Sequence, residues 1–86
     1  MIYDWYKIFN LATFEALGLV SQNITVELEG IGQKEILITK GNAVSIIYEG
    51  VFLTLSFSSN NPFEFEDHAV YVDESSDVWL GIVNES

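Results

Sequence analysis

The densest run of groups able to do chemistry is Phe63-Glu64-Phe65-Glu66-Asp67-His68, followed a few positions later by Asp73, Glu74 and Asp77. Carboxylates this close could hold calcium through hard oxygen ligands. The spacing, however, matches no EF-hand loop, and no glycine sits where such a loop turns sharply. A transition-metal site would have one imidazole, from His68, beside Glu66 or Asp67, where zinc usually takes several His or Cys ligands. No metal and no cofactor is expected. As a general base, His68 could serve Thr54, Ser56 or Ser58, yet a lone histidine among acids is far more often a solvated loop residue than half of a dyad. Glu64 and Glu66 could share acid and base work, but 86 residues leave little room to build a concave site around a substrate. The expectation is that the chain is not an enzyme.

The remaining reading is an interaction surface. If residues 63–66 are extended, both phenylalanines fall on one side and both glutamates on the other, and the glutamates join the field of Asp67, Asp73, Glu74 and Asp77. The bland alternative is that these acids only keep a β-rich protein soluble and blunt its edges. Tyr71 and Trp79, if they point outward, are the expected partner anchors.

Charge narrows the partner. Thirteen acids face three lysines and no arginine, for a net charge of −10. Residues 1–40 hold all three lysines, Lys7, Lys34 and Lys40, and five of the acids; residues 41–86 hold eight acids and no base. Phosphate binding depends on Lys and Arg displacing counterions, so direct contact with nucleic acid or anionic lipid is not expected. Gly30-Ile31-Gly32 lacks the rest of any phosphate-loop motif and falls between two strand patterns, so it reads as a hairpin loop. Lys40-Gly41-Asn42 reads the same way.

The elements that must position these groups are mostly strands. Half the residues are hydrophobic and twelve are aromatic, enough for a packed core without the cysteines this chain lacks. Residues 1–86 read as one domain, with 1–18 a helical cover and 23–83 an antiparallel sheet. Asp4 could cap a turn at Trp5-Tyr6-Lys7-Ile8-Phe9, and Asn10 could cap Leu11 to Leu17, ending at Gly18. From Ile24 the period changes to two. Glu49-Gly50 fits a two-residue turn that sets Ile46 against Leu53 and Val44 against Leu55 on a core face, with Ile47 against Phe52 and Ser45 against Thr54 on the other. Ile47 and Phe52 then lie under the helix or form an exposed apolar patch. Ser58 to Pro62 breaks the chain into a loop. Asp73 to Asp77 turns a last hairpin, with Val72 opposite Val78, Val70 opposite Leu80 and Tyr71 opposite Trp79. The expected fold is α+β but mainly β: a short N-terminal helical segment, then about six strands in consecutive hairpins, as a curled meander or small barrel.

The N-terminus has no basic stretch leading into a long apolar core, and no apolar run approaches the roughly 20 residues of a membrane span, so a cytoplasmic protein is expected. Two functions fit. One is a small acidic interaction module, of the size and charge of phage or mobile-element accessory proteins, that binds the basic nucleic-acid-binding surface of a target as an inhibitor. The other is a structural component that forms a homo-oligomer, or a joint in a larger particle, through a sheet edge or the Ile47–Phe52 patch.

Overall fold

The computed structural model describes residues 2–18, 20–41, 43–55 and 62–84. Eight strands and one short helix follow in the order β1 (Tyr3–Asn10), α1 (Leu11–Ala16), β2 (Ser21–Leu28), β3 (Gly32–Lys40), β4 (Val44–Tyr48), β5 (Val51–Thr54), β6 (Phe63–Phe65), β7 (His68–Val72) and β8 (Asp77–Val83). They form two four-stranded antiparallel sheets, ordered β1-β8-β7-β6 and β2-β3-β4-β5, and no closed barrel.

Both hairpins whose pairing the sequence specifies have that pairing. Ile46 lies opposite Leu53, Ile47 opposite Phe52 and Ser45 opposite Thr54 across β4 and β5, and the Leu55 amide donates to the Val44 carbonyl at 2.9 Å. Val72–Val78, Val70–Leu80 and Tyr71–Trp79 pair across β7 and β8. Glu49 and Gly50 both take positive φ, +47° and +81°, as a two-residue turn matching the twist of its strands requires. The inward sides of the two sheets meet in one core, in which Leu28, Ile36, Ile38, Ile46, Leu53, Val70, Val78 and Leu80 have no exposed surface.

The N-terminal segment departs from expectation. Residues 1–18 are not a helical cover: residues 3–10 form β1, which pairs with β8 from Tyr3–Val83 to Asn10–Asp77. The register shifts between Lys7 and Phe9, so that one extra residue on β1 lets both Ile8 and Phe9 pack toward the core. That bulge sets Tyr6 and Phe9 three positions apart on the inward side, which imitates a helical stripe. Tyr, Trp, Ile and Phe nevertheless favour a pleated surface, and β8 supplies the backbone partners. Asp4 caps nothing; its carboxylate accepts from Asn84 Nδ2 at 3.3 Å.

The helix that does form is the one Asn10 caps. Asn10 Oδ1 accepts from the Thr13 amide at 3.2 Å, Leu11 and Phe14 are buried, and Gly18 follows at φ +68°. With β1 and the three-residue β6, the strands number eight among the described residues instead of six. The meander is also split: β2 to β5 run in order in one sheet, while β1 returns to β8 in the other. No described helix is long and apolar enough to cross a membrane.

Candidate functional site

Alternation along β1, β7 and β8 decides what the first sheet shows on its outer side. Leu80, Val78 and Val70 point into the core, so Trp79, Gly81, Ala69 and Tyr71 point away from it, and on β1 Tyr3, Trp5 and Lys7 join them. The rings touch in series. Tyr3 and Trp5 lie 5.3 Å apart between centroids, Trp5 meets Tyr71 edge-on at 4.9 Å, and Tyr71 and Trp79 lie nearly parallel at 6.4 Å. All four residues are half-buried.

The floor beneath them is made of small residues. Trp5, Gly81, Ala69 and Glu64 form one cross-strand row over β1, β8, β7 and β6. The indole of Trp5 lies against Gly81 so closely that an added Cβ there would stand 2.7 Å from Trp5 Cζ3. Any larger residue at position 81 would lift the ring off the sheet.

The six expected acids do not make one patch. Glu64 projects from the outer side of β6, and Glu66 and Asp67 form the β6–β7 turn. Asp73, Glu74 and Asp77 lie at the other end of β7, where the chain turns into β8. The aromatic series spans the interval between the two groups. Alternation in residues 63–66 is kept only in part: Phe63 and Phe65 share the side of their partners Val70 and His68, Glu64 takes the opposite side, and Glu66 leaves the pattern because it enters the turn at φ +47°.

The two groups differ in kind. Asp73 is a structural acid. Its Oδ2 accepts from Trp79 Nε1 at 2.8 Å, and its Oδ1 accepts from the amides of Ser75 at 2.8 Å and Asp77 at 3.0 Å. The indole bond, those two amides and the positive charge of Lys7 together hold the carboxyl below the usual aspartate range, against a smaller opposing effect of burial. Asp77 accepts from Asn10 Nδ2 at 3.0 Å and ties the loop to the start of α1.

At the other end, Tyr3 lies within electrostatic reach of Glu64 and Asp67. Burial raises its phenol above the ordinary value, and these two carboxylates push it further in the same direction. The lysines do not answer this group: Lys34 pairs with Glu49 at 2.8 Å, Lys40 with Glu15 at 3.6 Å, and Lys7 lies in the row of Trp79, by Asp73.

The remaining candidates are placed as follows. Ile47 and Phe52 pair on the outer side of the second sheet, in one row with Leu37, and Phe52 is 53% exposed. They do not lie under α1, which buries Leu11 and Phe14 at the end of the core. His68 donates from Nδ1 to the Glu66 carbonyl at 2.7 Å, and its ring rests 5.6 Å from that of Tyr48. Thr54 points to the outer side of the second sheet, away from His68, while Ser56 and Ser58 lie outside the described residues. Among the described residues no three metal-ligating side chains converge. Two clefts, of about 400 and 330 Å³, open along the side where β1 and β2 are the edge strands; the second is lined by Phe9, Phe14, Leu17, Ile24 and Ile38.

Tyr3, Trp5 and Gly81 are absent from the sequence-based set. A signal for them existed in the cluster of aromatic residues Tyr3, Trp5 and Tyr6, a type that favours a pleated surface, but only the pairing of β1 with β8 brings it beside Tyr71 and Trp79. No protein-family model, curated protein or solved structure matches the chain.

Proposed function

We propose that this protein is a small acidic interaction module that binds a positively charged protein surface through the outer side of the β1-β8-β7-β6 sheet. The observation that carries the reading is the half-buried series Tyr3, Trp5, Tyr71 and Trp79, which ends at carboxylates that no lysine of the chain neutralises. Aromatic rings give contact area at low entropic cost, and a surrounding acidic field speeds encounter with a basic partner and excludes acidic ones. A nucleic-acid-binding groove is one such basic surface, and a −10 protein seated there would act as an inhibitor.

Asp73 and Asp77 hold the β7–β8 turn, so neutralising them would mix folding with binding. The clean variant combines Glu64→Gln, Glu66→Gln, Asp67→Asn and Glu74→Gln, all at exposed positions. A partner captured from lysate by the wild type at low salt should be lost by this folded variant, and wild-type binding should weaken steeply toward physiological salt. Retention of the partner with an unchanged salt dependence would refute the reading.

A second reading, assembly through a symmetric contact, is favoured by one observation, the outward Leu37–Ile47–Phe52 row, in which Phe52 is exposed and Leu37 and Ile47 are half-buried. An oligomer in light scattering that Phe52→Ser converts to monomer would support it.

A further inference from the structure

Resting on that reading, we propose that the Tyr3, Trp5, Glu64 and Asp67 corner of the face recognises arginine side chains of the partner in preference to lysine. Three features meet there. The first is ring surface: Tyr3 and Trp5 are in contact at 5.3 Å, and Trp5 is seated on Gly81 and braced edge-on by Tyr71, so the indole is held in place before a partner arrives. The second is charge. Glu64 stands in the same cross-strand row as Trp5, across Gly81 and Ala69; the Asp67 carbonyl accepts from the amide of Val83, the residue opposite Tyr3; Lys34 and Lys40 pair with Glu49 and Glu15, and Lys7 lies toward Asp73. The third is the contrast with the far end of the face, where Lys7 lies near Asp73 and that carboxylate already takes three internal hydrogen bonds. Among the described residues, one acidic end of the face has a lysine and its donors, and the other has no lysine beside it.

A guanidinium meets both demands together. It is planar and weakly hydrated, so it can rest on an aromatic ring with little desolvation cost, and its fork of N–H donors can reach carboxylates at the ring's margin. An ammonium satisfies the charge but stays strongly hydrated and presents no flat face. The difference belongs to stacking on the rings combined with the forked hydrogen bond to Glu64, both short-range, and should survive salt that screens the longer-range Coulomb attraction common to the two cations.

The test uses the intact protein and two unstructured peptides of equal length and charge, one with arginines alternating with glycine and the other with lysines in their place. Binding is followed by tryptophan fluorescence and by backbone amide shifts. At physiological salt the arginine peptide should bind about tenfold more tightly, and the shifts should centre on Tyr3, Trp5 and Glu64. Glu64→Gln, an exposed change on a three-residue edge strand, should remove most of that preference without altering the melting temperature, whereas Glu74→Gln should leave it intact. Equal, salt-sensitive binding of both peptides would overturn arginine recognition while leaving the acidic-module reading in place. Failure of both peptides to bind, or binding of a neutral oligosaccharide to the same rings instead, would overturn both.

Discussion

Gly81 is the residue on which the aromatic face depends most directly. The Trp5 ring occupies the space a side chain would need, so Gly81→Ala should displace it and cost about 1–3 kcal/mol, as overpacking does. Denaturant unfolding, together with a shift in tryptophan emission, checks this; an unchanged midpoint would mean that the ring moves aside freely. Asp73 makes a prediction in pH. Its carboxyl is held below the ordinary aspartate value of about 3.9, so folding favours the ionised form. That stabilisation is fully present above about pH 4 and is lost as pH falls through the lower folded value. Thermal unfolding of wild type and Asp73→Asn should therefore differ at pH 6 and converge in strong acid, and a gap that stays constant with pH would remove the carboxylate's role. At this scale the sequence was informative wherever a short hairpin fixed the neighbours, as with Tyr71 and Trp79. It could not reveal the Trp5–Gly81 contact, which joins positions far apart in the chain.

Elements are specified by how well their turns are written. Glu49-Gly50 leaves one sensible register, and β4 and β5 adopt it. The consequence is measurable: Leu53→Ala should cost about 2–5 kcal/mol, because Leu53 has no exposed surface. Phe52→Ala, one position away on the outer side, should cost under about 1 kcal/mol. The reverse order would mean a register shifted by one residue. β1 was illegible for a physical reason. Its bulge breaks the period of two at Ile8, and a strand whose partner is near the other end of the sequence has no local turn to announce it. β6 was concealed by its length of three residues and by the non-glycine turn Glu66-Asp67, both at positive φ.

For the molecule as a whole, composition spoke to sign and class but not to arrangement. A mainly β chain with −10 net charge was legible, whereas two sheets instead of one curled sheet follow from β5 and β6 not pairing, with β1 returning to β8. The acids expected to act together are divided by the length of β7, and two of the six are committed to the loop they lie in. Self-repulsion of so many like charges should make the fold more stable in sodium chloride. Screening across the roughly 8 Å Debye length at 0.15 M should raise the Tm by about 2–4 °C over low salt, near 0.5 kcal/mol for a domain of this size. Calorimetry in the two buffers decides it; a flat or falling Tm would mean that the charges lie too far apart to oppose folding.

The β1–β8 pairing also sets an order of events in time. Asn10 and Asp77, bonded through their side chains, are 67 positions apart, while the β2-to-β5 sheet is built from neighbours joined by short connections. Closing the long loop carries the larger entropic cost, so β1 should dock after the folding barrier has been crossed. Ile8→Val in β1 and Ile46→Val in β4 should each destabilise by about 0.5–1.5 kcal/mol. In stopped-flow measurements the first should emerge almost wholly as faster unfolding and the second mainly as slower folding. If Ile8→Val slows folding as much as Ile46→Val, β1 is already in place at the barrier. If it does not, the aromatic face is the last part of the molecule to be assembled and the first to come apart, because Tyr3 and Trp5 arrive and leave with β1.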